Sequence, residues 1–146
     1  GQRWVERADD AVFEDHSAES NERSRMPIDH IAMNVSDLER SKAFYSDALK
    51  PLGYSFMFEV GDFLGFGDGQ MPNLGVVRRD PAGGGHVALT APDRATVNAF
   101  HEAAIAAGGT DNGEPGLREH YHPTYYAAYV RDPDGNNIEA VCHTPE

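Results

Sequence analysis

Hydrophobic and polar positions alternate over residues 28–35, with Ile31, Met33 and Val35 on one side. A period of two predicts a half-buried strand there. Ser36 and Asp37 follow as capping residues, and Leu38, Ser41, Phe44, Tyr45, Ala48 and Leu49 then recur at steps of three and four. That stripe is one face of an amphipathic helix, and Pro51 with Gly53 stops it. Three strand-like runs come next, residues 54–60, 63–66 and 74–78, divided by the turn-forming Gly61-Asp62 and Asp68-Gly69-Gln70. The predicted order is βαβββ.

The same pattern then recurs. A shift of 56 residues lays His30-Ile31-Ala32-Met33 on His86-Val87-Ala88-Leu89 without a gap. In that register Asp37 meets Asp93, Ala43 meets Ala99, Phe44 meets Phe100, Ala48 meets Ala104 and Gly53 meets Gly109. Self-similarity at the caps, core and stop of the helix marks an internal duplication of one supersecondary unit. Past the helix the shift becomes 64, bringing Asp68 onto Asp132, Asn73 onto Asn137 and Val77 onto Val141. The second copy has therefore gained eight residues, around Gly116 to Pro123, in a loop rich in His, Tyr, Pro and Gly. Insertions of that composition are where function tends to be placed. The fold class read from these patterns is α+β, two βαβββ modules at residues 27–82 and 84–143 within one domain, 26–146. Residues 1–25 form a charged arm outside it. Their few apolar positions (Trp4, Val5, Val12, Phe13) recur loosely at helical spacing, so the arm reads as a disordered or appended leader, with a short helix as the alternative.

Composition narrows the partners. A formal charge of −12 disfavours nucleic acid and anionic membrane surfaces. No apolar run is long enough to span a bilayer, and a lone Cys142 permits no internal disulfide, so the expected location is the cytoplasm and the expected partner a small molecule. Gly83-Gly84-Gly85 lacks the Lys-Ser or Lys-Thr of a phosphate loop and reads as a linker.

The duplication also selects candidate chemistry. His30 and His86 occupy equivalent places on the first strand of each module and can face one point near the axis relating the copies. Glu139 shares a strand face with Asn137 and Val141, amid the apolar Ile138 and Ala140. A buried carboxylate without a cation costs several kcal/mol. Two imidazoles and a carboxylate on rigid strands form instead a site for one divalent ion with open positions.

The strand Ile28-Asp29-His30-Ile31 running into Ser36-Asp37-Leu38-Glu39-Arg40-Ser41, Phe44-Tyr45 in the helix, and the ending Asp132-Pro133-Asp134-Gly135-Asn136-Asn137-Ile138-Glu139 resemble the vicinal oxygen chelate superfamily. That superfamily includes glyoxalases, bleomycin-resistance proteins, fosfomycin-resistance enzymes and extradiol dioxygenases. The resemblance implies a barrel-like cup of paired modules around a divalent ion at His30, His86 and Glu139. It also implies a homodimer in which His30 can meet His86 across a subunit boundary. The counterpart of Glu139 in the first copy is Gly75, where glyoxalase-type isomerases supply a further ligand, so three ligands remain. The extradiol signature is half kept: His122, Tyr129, Asp132-Pro133-Asp134-Gly135 and Glu139 match it, Ala128 and His120 depart from it, and residues 54–85 contain no histidine for the oxygenases' acid–base role. The resemblance gives His122 and Tyr129 a catalytic, proton-shuttling role, with His120, Tyr121, Tyr125 and Tyr126 lining the mouth. The expected activity is a metal-dependent, extradiol-dioxygenase-like reaction, with Fe(II) or Mn(II) favoured over Zn or Ni. The alternatives are a glyoxalase-like lyase, isomerase or thiol transferase, and a metal-free drug-binding protein of the bleomycin-resistance type.

Overall fold

In the computed structural model, which describes residues 2–7, 10–15 and 27–146, the two halves of the chain build the same unit twice. The first unit runs β3 (Ile31–Val35), α1 (Leu38–Ala48), a 3-10 turn (Lys50–Leu52), β4 (Ser55–Val60), β5 (Phe63–Gly67) and β6 (Leu74–Arg78). The second runs β7 (His86–Thr90), α2 (Arg94–Ala106), β8 (Thr110–Leu117), β9 (Tyr126–Arg131) and β10 (Asn137–Cys142). Each makes a four-stranded mixed sheet of identical topology, β3-β6-β5-β4 and β7-β10-β9-β8, and in each the first strand is parallel to the last. The fold is α+β; the two sheets are not hydrogen-bonded into one closed barrel.

Strand register carries the duplication down to single residues. Ala32 pairs with Gly75 and Ala88 with Glu139; Gly65 pairs with Gly75 and Tyr129 with Glu139. The shift of 64 read from sequence is thus the structural equivalence. The added residues separate β8 from β9, which an eight-residue connection joins where Gly61-Asp62 suffices between β4 and β5. One difference between the halves bears on the site. His86 opens β7, whereas the strand expected from residue 28 begins only at Ile31, whose N–H is bonded to the Asn73 carbonyl at 3.0 Å. His30 therefore precedes its strand, beside an exposed Ile28.

Before the domain, β1 (Gln2–Arg7) and β2 (Asp10–Asp15) pair antiparallel, setting Trp4 opposite Phe13 and Val5 opposite Val12. The helical spacing read there is a strand pairing instead, because the same apolar residues also match in a hairpin register. The reading of the rest of the arm as a leader lies outside the described residues.

Asp37 and Asp93, equivalent in the repeat, both cap helices, accepting from the N–H of Arg40 at 3.1 Å and of Thr96 at 2.7 Å. Each helix then lays its apolar stripe on its own sheet, α1 on β4, β5 and β6 and α2 on β8, β9 and β10, and the helices touch each other. Phe44 and Phe100, another equivalent pair, are buried there with Tyr45, Leu64, Phe66, Val76, Val97, Val130 and Ile138. Among the described residues no helix is long and apolar enough to cross a membrane.

The turn before β10 is a polar hub rather than only a bend. Buried Asp132 accepts from the Tyr45 hydroxyl at 2.6 Å, the Asn136 amide side chain at 2.8 Å, and the N–H groups of Asp134 and Asn136 at 2.9 and 2.8 Å. Asn136 also donates to the Asn34 carbonyl and accepts from the Gly85 N–H, both at 2.9 Å, while the Ser36 hydroxyl donates to Asp134 at 2.5 Å. One turn so joins α1, the end of β3, the linker and the strand that carries Glu139.

Candidate metal centre and adjoining cavity

Side chains alternate across the strands, so the faces of the two sheets turned away from the helices carry His30, Ala32 and Gly75 in the first module and His86, Ala88, Glu139 and Tyr129 in the second. Ala32, Ala88 and both histidines are exposed. Glu139 is not: it is 3% exposed, held beneath its neighbours at the middle of the sheet.

Glu139 has two partners. Its Oε2 accepts a short hydrogen bond from the Tyr125 hydroxyl, and its Oε1 lies 3.3 Å from His86 Nε2. His86 Nδ1 is 3.0 Å from the Asn137 carbonyl, which can only accept, so Nδ1 carries a proton; a neutral ring then turns its Nε2 lone pair toward Glu139, whereas an imidazolium donates to it. His30 is prepared in the same way: Nδ1 is 2.6 Å from the Asp29 carboxylate, leaving Nε2 as its free donor atom. Within one chain, however, His30 does not join the pair, and no three His, Cys, Asp or Glu side chains among the described residues form a metal-binding group.

The pair still fits a divalent ion. Two ligand atoms each about 2.1 Å from one ion, at angles between octahedral and tetrahedral, stand about 3.0–3.4 Å apart. The observed 3.3 Å lies in that interval. An imidazole whose remote nitrogen is held by a carbonyl, beside a carboxylate whose remote oxygen is held by a phenol, is the orientation a metal ligand requires.

A cavity of about 290 Å³ adjoins the pair, lined by Asn112, Gly113, Arg118, His120, Tyr121, Tyr129 and Asn137. Tyr129 is the neighbour of Glu139 across β9 and β10. Burial, and then the Glu139 carboxylate, push the phenols of Tyr125 and Tyr129 above their ordinary value, so both stay protonated at neutral pH, with Tyr125 donating to Glu139. Rings continue outward from the pair, His120 to Tyr121 at 4.1 Å, Tyr121 to Tyr125 at 5.1 Å and Tyr125 to His143 at 5.2 Å.

The remaining expected residues are placed elsewhere. Tyr126 points to the other face, where its hydroxyl donates to Asn98 on α2 at 2.7 Å, as strand alternation requires of a neighbour of Tyr125. His122 lies in the exposed β8–β9 connection, outside the cavity lining, with Nδ1 accepting from the Thr124 N–H at 3.2 Å. Arg118, Asn112 and Asn137 line the cavity but were not among the residues singled out from the sequence. Their only advance signal was position: beside the eight-residue insertion or at the repeat partner of Asn73. In the first module the place of Glu139 is filled by carbon. A Cβ on Gly75 would lie 2.5 Å from the Phe63 ring and one on Gly65 2.4 Å from the Phe58 ring.

The model of the Glyoxalase/Bleomycin resistance protein/Dioxygenase superfamily matches residues 27–140. Among solved structures, a glyoxalase/bleomycin resistance protein from Albidiferax ferrireducens T118 is 34% identical, with a TM-score of 0.69 over 77% of this chain and 96% of that one. A glyoxalase/bleomycin resistance protein/dioxygenase family enzyme from Burkholderia phytofirmans PsJN shares the fold at 18% identity, with a TM-score of 0.63 over 80% and 98%. So does a lactoylglutathione lyase from Agrobacterium tumefaciens, at 24% identity and a TM-score of 0.57 over 77% and 90%. No curated protein matches the chain.

Proposed function

The chain belongs to the Glyoxalase/Bleomycin resistance protein/Dioxygenase superfamily, and from that premise we propose that it is a metal-dependent enzyme whose centre takes His86 and Glu139 from one chain and His30 from a second copy. The observation that carries this reading is the contact between His86 Nε2 and Glu139 Oε1 at 3.3 Å, the separation of two ligand atoms on one ion, in a pair whose remote atoms are held by the Asn137 carbonyl and the Tyr125 hydroxyl. His30, with its Nδ1 held and its Nε2 open to solvent, supports a ligand supplied from outside its own chain.

Two imidazoles and one carboxylate suit Fe(II) or Mn(II), and accommodate Zn or Ni. When bound, such an ion polarises two neighbouring oxygens of a small substrate and stabilises the anion they share. The chain's own side chains do the rest. Tyr125 holds the outer oxygen of Glu139, and Tyr129 presents a protonated phenol at the cavity edge, where the rings of His120 and Tyr121 complete the lining. Because Phe63 fills the place beside Gly75, the first module supplies no carboxylate of its own. His30, His86 and Glu139 would hold the ion and would leave positions open for substrate, and extradiol-type oxygenation is the reading we favour. A glyoxalase-like lyase or isomerase is the second reading, favoured by the position of His122 outside the cavity.

Protein purified without chelator is expected to hold one equivalent of metal per chain, lost in both His86→Ala and Glu139→Gln when metal content is measured by atomic emission. Oxygen uptake in step with catechol loss on the Fe(II)-loaded protein would select oxygenation. Anaerobic turnover of a hemithioacetal with Ni(II), without oxygen uptake, would select the isomerase. Metal-free protein whose ligand binding survives His86→Ala would replace both with a sequestering role.

A further inference from the structure

Arg118 follows β8 directly, and its side chain turns back over that strand. Nη2 donates to the Glu114 carbonyl at 2.7 Å, and the guanidinium lies 5.3 Å from the centre of the Tyr129 ring. The strand is bare beneath it: a Cβ on Gly113 would come within 3.2 Å of Nη2 and one on Gly116 within 3.1 Å of Nη1. Two glycines, a carbonyl and an aromatic face thus make a seat for the guanidinium, which fixes its plane. One N–H of its five is used by Glu114. Arg40, Arg78 and Arg94 each have a carboxylate within ion-pair distance, but among the described residues Arg118 has none. Among the described residues it is also the only Lys or Arg lining the cavity beside His86 and Glu139.

A chain of net charge −12 repels anions, and a buried glutamate beside the cavity adds to that. A seated, unpaired guanidinium in such a place is the chemistry that admits an anion, and its fork matches a carboxylate with two parallel hydrogen bonds. We propose that Arg118 is the anion-recognising residue of this cavity, and that the substrate is a small planar molecule with a carboxylate at the end remote from its metal-binding oxygens. The aromatic lining of His120, Tyr121 and Tyr129 suits the face of a flat molecule. The orientation of the substrate rests on the metal reading above; the anion preference does not.

The test is calorimetric, with protocatechuate, which has two neighbouring oxygens at one end and a carboxylate at the other, and its uncharged amide as probes. Both are titrated into the protein as purified and after chelator treatment. The acid is expected to bind about tenfold more tightly than the amide in both forms, as one charge-assisted pair supplies. Arg118→Gln is expected to abolish the preference with metal content unchanged, and Arg118→Lys to keep part of it. Equal affinity of the two probes for the wild type, including binding of neither, or a preference that survives Arg118→Gln, overturns the proposal. Absence of metal with the preference intact would overturn the metal reading alone.

Discussion

At the scale of single residues, the arrangement around Asp132 shows how one buried carboxyl group is held still. Four donors converge on it, and the Tyr45 hydroxyl is the one that comes from the other module. Tyr45→Phe removes that donor and is expected to cost about 1–3 kcal/mol in urea unfolding near neutral pH. Burial, and then Asp132, hold the Tyr45 phenol well above its ordinary value of 10.0. A raised folded value means the unfolded chain loses its proton first. The contribution is therefore complete below pH 10 and declines as pH rises through the folded value, so the gap between wild type and Tyr45→Phe should narrow in alkali. A gap independent of pH would mean that Tyr45 acts through packing alone. Tyr125 is the matching case at the site. Its bond to the outer oxygen of Glu139 holds the carboxylate in a single orientation, and Tyr125→Phe is expected to weaken metal binding about 10–100-fold in a competitive chelator titration. Unaltered metal affinity in that variant would leave Tyr125 as one ring of the cavity wall and no more.

At the scale of elements, what was legible in the sequence was whatever repeats. Periodicity located the helix and strands of the first module, the repeat carried them to the second, and the shift from 56 to 64 made Gly75 the counterpart of Glu139, an equivalence the pairing of Ala32 with Gly75 and of Ala88 with Glu139 bears out. His86 and Glu139 were legible for the same reason: a polar residue at a repeated or apolar strand position stands out from its surroundings. The β8–β9 connection was less legible, because a loop has no period to reveal which way its side chains turn. Hence His122, which matched a spacing, sits in a turn against Thr124, while Arg118, which matched nothing, lines the cavity. The glycines followed the same logic. Gly75 read as a gap in the ligand set, but its physical reason, the ring of Phe63 lying where a Cβ would go, as the ring of Phe58 does at Gly65, depends on contacts that strand alternation does not encode. Gly75→Glu alone is therefore expected to destabilise the first module by about 1–3 kcal/mol through overpacking rather than to add a ligand. Thermal melts with metal analysis would check both halves of that statement.

At the scale of the whole molecule, the two modules present unlike faces. The second carries a carboxylate, an imidazole, phenols and a guanidinium; the first carries Phe58, Phe63 and two glycines, with His30 at its end. Each complements what the other lacks, yet within one chain the three predicted ligands are not gathered into a group. Twofold pairing of two chains would oppose the first module of each to the second module of the other, giving two identical composite sites. A complementation experiment decides whether this is so. His30→Ala and His86→Ala chains, each expected to bind no stoichiometric metal alone, are co-expressed with different tags so that mixed dimers can be isolated. In a composite arrangement, one site of each mixed dimer carries both substitutions and the other carries neither, so the isolated mixed dimer should hold half the metal of the wild type. Random, unsorted pairing would give about a quarter, since about half of the dimers are mixed. If His30 and His86 instead served one site within a single chain, every site in the mixed dimer would lack one histidine and no metal would return. Recovery of half the metal would therefore place the centre between subunits, and would make the dimer, rather than the chain, the unit of function.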